Sequence, residues 1–260
     1  MTILSHEIRR GTKSLIIWTA AITALLGMCI ALFPQMKDLM GAMSEEFSKM
    51  GAFAEQFGAM DAMMGDLGSF YAVEATSMLG LGGSLFAAFC AVDIVSKEQH
   101  KKTADFLLTH PVSRIRILTE KLISVIVRIV LFDLIVYGCM TALTVAVGES
   151  VPENFLLLHL VYMFMHIEFA GISFALSAWL SKSGVGFGIG LVMGMFFLQA
   201  VANMMDRLDF LNYITPFGYC KGNVIITSGE IEWVKILIGM LICAAAVVSA
   251  YIIYPKKDIT

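Results

Sequence analysis

Asp133, His166 and Glu168 are ionisable residues inside long apolar runs, where a charge is costly to keep. A carboxyl and an imidazole can exchange a proton, so the three could form a proton- or substrate-linked polar site. The favoured alternative is a buried, hydrogen-bonded carboxyl, kept protonated because desolvation disfavours its charged form. Asp93 and Arg128 suit either an ion pair between consecutive helices or an Arg128 that reaches back to the headgroups. Met60, Met63 and Met64 are soft thioethers of the kind that bind Cu(I), but no His or Cys stands near them, and an interfacial helix burying methionine is the simpler reading. Cys29, Cys90, Cys139, Cys220 and Cys243 form no CxxC pair and read as small packing residues. No metal site is expected. The chain has no GxxxxGK[ST] phosphate loop, HExxH or GxSxG, so no catalytic residue is assigned and no ATP site or enzyme activity of its own is expected.

The elements that must hold these residues are set by composition. Of 260 residues, 58% are hydrophobic and 15% charged. An ordinary soluble domain carries roughly 25% charged residues, so the apolar excess must face lipid. The net charge of −3 gives no reason to expect a nucleic-acid partner. Apolar runs at 15–33, 71–95, 121–147, 155–180, 185–204 and 233–254 predict an all-α membrane protein with six transmembrane helices in one domain, 1–260. Pro34 is expected to end the first. Residues 1–14 form an amphipathic stretch, with Ile3, Leu4 and Ile8 on one face and Glu7, Arg9, Arg10 and Lys13 among the headgroups, and predict a separate interfacial helix.

The basic loops hold about twelve of the 18 Lys and Arg residues, and the opposite loops about four. This asymmetry places both termini in the cytoplasm. Two outer segments follow. Residues 35–70 carry Met36, Met40, Met43, Phe47, Met50, Ala54 and Phe57 at steps of three and four, an amphipathic face that suits a cargo exit or outer gate. Residues 205–232 read as a re-entrant or interfacial segment. Gly186, Gly190 and Gly194 stand four apart, a spacing that lets helix backbones approach, either within one subunit or across a dimer.

The cytoplasmic loop at 96–120 is the most informative stretch. It reads as a short helix ended before Pro111, with Phe106, Leu107 and Leu108 as an apolar patch that a solvated loop has no reason to display. Glu98, the run Thr103-Ala-Asp105-Phe106-Leu107-Leu108-Thr109, then Pro111-Val-Ser-Arg114 and Lys121 resemble the cytoplasmic loop of type-2 ABC exporter permeases. The short link between the fourth and fifth apolar runs and Thr215-Pro216-Phe217 before the last extend the likeness over most of the chain.

The resemblance implies a permease of the ABC-2 type in the cytoplasmic (inner) membrane of a bacterium. Its coupling helix would dock on a separate ABC ATP-binding subunit, which would hold ATP and Mg, while this chain binds no cofactor. It further implies a second permease copy, as a homodimer or paralogous heterodimer, with spans one and five facing the partner. The expected activity is outward movement of an amphipathic peptide or hydrophobic antimicrobial. A proton-coupled secondary transporter built on Asp133, His166 and Glu168, a copper-related permease, and a non-transporting anchor are the rival readings.

Overall fold

The computed structural model describes residues 2–47, 65–92, 94–95, 113–180, 184–204 and 206–256, with side chains undefined at 2, 40–47, 206 and 209. Among these residues the chain is helical and has no strand. Six helical stretches are long and apolar enough to cross a membrane.

Helix α1 spans Thr2–Phe47. Its length corrects two expectations. The amphipathic start is no separate interfacial helix but the first turns of α1, and Pro34 lies inside the helix rather than ending it. A proline costs one backbone hydrogen bond, which neighbouring helices can compensate in a membrane. Ile22, Leu26, Ile30 and Phe33 form the buried stripe, while Ile16, Ile17, Leu25, Met28 and Leu32 are exposed. Apolar residues on both faces mark a helix between protein and lipid.

The second span has three parts: α2 at Leu67–Ala75, a π-helical segment at Thr76–Leu81, and α3 at Gly82–Val92. Asp66 caps α2 by accepting from the Ser69 amide at 3.0 Å. The π segment shifts the rotational phase of the span, a distortion frequent at functional sites.

Helix α4 is Arg114–Ala146, capped by Ser113, whose Oγ accepts from the Arg116 amide. It packs along α1. Helix α5, Phe155–Trp179, is the central element and packs on α3, α4 and the last span. Helix α6 is Val185–Met204.

The expected re-entrant stretch after α6 is two 3-10 turns, Asp206–Tyr213 and Pro216–Tyr219, followed by α7 at Gly222–Ser228. It folds back onto the bundle: Phe217 packs on Phe169 of α5 and Phe196 of α6, with ring centroids 5.3 and 5.5 Å apart. Thr215 shapes the turn, accepting from the Phe217 amide and donating to the Met195 carbonyl. A side chain at Gly218 would collide with the Asn212 backbone. Helix α8, Trp233–Ile253, completes the set.

Antiparallel connection gives the bundle two ends. The N-terminal end gathers the start of α1, the end of α3, the start of α4 and the end of α8. The far end gathers the start of α2, the α4–α5 turn and the 206–232 cap.

Candidate functional site

Glu98, Thr103, Asp105, Phe106, Leu107, Leu108, Thr109 and Pro111, with Asp93, lie outside the described residues, but the base of their loop is defined. Lys121 is completely buried. Its ammonium donates to the Ile94 carbonyl at 2.5 Å and stands 3.6 Å from Glu7 of α1. The Val95 amide donates to Ser177 Oγ of α5 at 2.8 Å. Arg128 donates to the Ser124 carbonyl at 3.1 Å and to the Cys90 carbonyl of α3 at 3.3 Å. A side chain at Gly11 would strike its guanidinium.

These contacts make a collar in which cationic side chains of α4 grip the carbonyls that end α3. Carbonyls released at a helix terminus need donors, and a buried ammonium or guanidinium supplies strong ones. Arg114 adds a bond from the start of α4 to the Pro255 carbonyl at 3.2 Å, and the Leu4 amide donates to Glu120 at 3.0 Å.

Two expectations are corrected here. Arg128 is buried and does not reach for the headgroups. Glu7 is also buried, not among the headgroup-facing charges. The Glu7–Lys121 pair was not anticipated, because its members are 114 positions apart and only the packing of α1 on α4 brings them together.

At mid-bundle the expected trio divides. His166 Nδ1 lies 2.9 Å from Asp133 Oδ1, and its Nε2 lies 3.2 Å from the Leu79 carbonyl in the π segment. A carbonyl can only accept, so Nε2 carries a hydrogen. Nδ1 and Asp133 then share the remaining proton, as imidazolium with carboxylate or imidazole with carboxylic acid. In either form the pair is neutral overall, which suits full burial. Gly83 makes room for the ring, since a Cβ there would collide with it.

Glu168 is fully buried on another side of α5. Its carboxyl faces Gly239 of α8, with Tyr219, Cys220 and Cys243 as neighbours. Residues two apart on a helix point about 200° from each other, which separates Glu168 from His166.

A polar seam runs along α5: His159, Tyr162, His166, Ser173 and Ser177 are all buried and recur at helical spacing. His159 Nε2 bonds the Tyr71 hydroxyl at 3.0 Å, and Tyr162 bonds Thr76 at 3.0 Å. The periodicity that reveals this seam is present in the sequence.

At the far end a cavity of about 590 Å³ opens between the π segment, α6 and the 206–232 cap. Thr76, Tyr162, Phe196, Gln199, Phe217 and Asn223 line it, with Lys221 at its rim. Lys221 pairs with Glu232 at 3.0 Å, and Glu232 also pairs with Lys235. Partial burial pushes the Glu232 carboxyl up, but the two ammonium groups outweigh it and hold the group below its usual range.

Gly186, Gly190 and Gly194 are exposed, and a Cβ added at any of them would meet no described atom within 4 Å, whereas Gly184 and Gly188 of the same stretch pack on Val92. Phe187, Ile189 and Phe197 are exposed on the same helix. Met40, Met43 and Phe47 fall on the extension of α1, where side chains are not described, and Met50 and Phe57 lie outside the described residues. No group of three or more His, Cys, Asp or Glu that could hold a metal occurs among the described residues.

A search of curated proteins finds no match to the chain. The model of the ABC-2 family transporter protein matches residues 1–259, nearly the whole length. The likeness carried by the loop and the order of the spans therefore extends over the entire helical bundle, and the chain belongs to the ABC-2 transporter family.

Proposed function

We propose that this chain is the permease subunit of an ATP-driven exporter, powered by a separate ATP-binding subunit that grips the loop at 96–112. The observation that carries this reading is the collar at the base of that loop. Lys121, Arg128 and Ser177 bind the last backbone groups of the second span to α4 and α5. A push on the loop then moves the second and third spans together instead of fraying their ends. His166 repeats the arrangement at mid-bundle by joining Asp133 of the third span to the π segment of the second.

Both termini and the collar lie on the cytoplasmic side in this reading, and the cavity faces outward. Two permease copies meet through the open glycine face of α6 and through α1. The cargo is an amphipathic peptide or a hydrophobic antimicrobial. The proton-coupled alternative rests on the Asp133–His166 pair alone, and both ring nitrogens of that pair are engaged by protein atoms.

The test is to purify the chain in mild detergent from its native host and assay ATP hydrolysis. A stoichiometric nucleotide-binding partner is expected, and Phe106→Asp with Leu107→Asp should remove it while the chain still inserts. A chain that purifies alone and transports on a proton gradient would overturn the reading.

A further inference from the structure

A second cleft, of about 180 Å³, opens at the N-terminal end of the bundle, between the starts of α1 and α6, the end of α3 and the flank of α4. Arg10, Gly11, Phe89, Val185 and Arg128 line it, together with Glu7. Arg128 is buried, with 6% of its surface exposed. Its Nε and Nη2 are spent on the Ser124 and Cys90 carbonyls, and its Nη1 bonds no described atom. That nitrogen lies over the bare backbone of Gly11, where a Cβ would collide with it. It is not sealed in. The buried polar side-chain atoms that lack both partner and exposure include Ser14 Oγ beside the cleft, but no atom of Arg128.

The charge of Arg128 is also unanswered. Both of its bonds go to neutral carbonyls, and it makes no ion pair among the described residues. The carboxylate in the lining, Glu7, is matched by Lys121 instead. Arg10 is exposed and has no ion pair among the described residues either. A buried cation without a counter-ion is costly, and an anion entering the cleft would relieve it through a charge-assisted hydrogen bond.

Depth points to the source of that anion. From Arg128 to the end of α4 at Ala146 the helix runs about 27 Å at ~1.5 Å per residue. The hydrocarbon layer is ~30 Å thick, so a span that leaves lipid at Ala146 brings Arg128 to the opposite boundary, where headgroups begin. Phe89 is exposed, and with Val185 it gives the cleft an apolar side. Basic clefts between membrane helices suit the headgroups of anionic lipids.

We propose that this cleft binds the phosphate of an anionic phospholipid, with Arg128 Nη1 and the Arg10 guanidinium on the phosphate oxygens and the acyl chains running over Phe89 and Val185. The proposal needs only the membrane class of the chain and does not rest on the export reading. Inorganic phosphate offers the same oxygens without the chains, and the test separates the two sources.

The probes are phosphatidylglycerol, phosphatidylcholine with the same acyl chains, and inorganic phosphate, added to the full chain in mild detergent and read by native mass spectrometry. The first phosphatidylglycerol should be held about tenfold more tightly than phosphatidylcholine, whose choline cation Arg10 repels. Excess phosphate should not displace it. Arg10→Gln should reduce the preference several-fold. Arg9→Gln, equally exposed but outside the cleft, should leave it unchanged. Arg128→Gln should abolish it but also releases the Cys90 carbonyl, so Arg10→Gln, which breaks no described bond, is the deciding variant. Equal retention of the two lipids would mean that another anion of the chain, such as Asp93, answers Arg128, and would overturn the proposal. Full preference in Arg10→Gln, an equal loss in Arg9→Gln, or displacement of the lipid by phosphate would overturn it as well. These measurements involve no ATPase, so their failure leaves the exporter reading standing.

Discussion

Lys121 illustrates how one side chain is read differently by spacing and by packing. In the sequence it is one more cation of a basic loop. In the fold it is completely buried, with its ammonium on the Ile94 carbonyl and near Glu7. Removing one member of a buried ionic group leaves the other uncompensated, at a cost of about 3–5 kcal/mol. Lys121→Met should therefore lower the unfolding midpoint of the detergent-solubilised chain strongly. Glu7→Gln, which keeps an oxygen acceptor, should lower it less. Amide exchange at residues 94 and 95 should rise in Lys121→Met. A variant as stable as the parent would mean that the collar does not hold the second span.

Among the elements, the 206–232 cap depends on the ends of its neighbours. Glu232 joins Lys221, just before α7, to Lys235 in the first turn of α8, and the Lys235 ammonium also sits 5.1 Å from the Tyr213 ring centroid. The Glu232 carboxyl is held below its usual range. A depressed folded value means that the clasp stabilises fully above the unfolded value of about 4.3 and is lost as pH falls through the folded one. Trypsin cleavage after Lys221 should be equally slow at pH 8 and pH 6, where the enzyme works. Hydrogen exchange across 221–232 should stay protected to about pH 5 and lose protection below about pH 4. Glu232→Gln should show the exposed behaviour at every pH, and protection in that variant at pH 7 would remove the clasp from the account. Span two shows a related effect at the same scale. Its apolar run is continuous, yet the π segment turns Leu79 and Gly83 towards His166.

For the whole molecule, the proposed meeting of two copies through the exposed face of α6 has a direct test. A Cβ added at Gly190 would meet no described atom within 4 Å, so a side chain there should not disturb the subunit. Gly190→Cys should leave the melting temperature of the subunit within about 1 °C and form a disulfide-linked dimer under mild oxidation, and Gly190→Leu should reduce dimer recovery several-fold. Gly188→Leu, whose position packs on Val92, should instead destabilise the subunit itself. Native mass spectrometry and melting curves separate these outcomes. A Gly190→Leu chain that remains fully dimeric would place the contact elsewhere.

By itself the sequence determined the membrane class, the number of spans and, to within a residue, the limits of the last three, because crossing lipid requires an apolar run that is written locally. The fifth apolar run and α6 coincide at residues 185–204. The Thr215-Pro216-Phe217 segment was also legible, since it lies in a short contiguous stretch. Only the tertiary structure decided which buried groups meet. It joined Glu7 to Lys121, separated Glu168 from Asp133 and His166, and carried α1 through Pro34. Such contacts depend on the rotation of each helix about its axis and on which neighbour it faces. Lipid leaves that rotation almost free, because an apolar residue suits the bilayer as well as it suits the core.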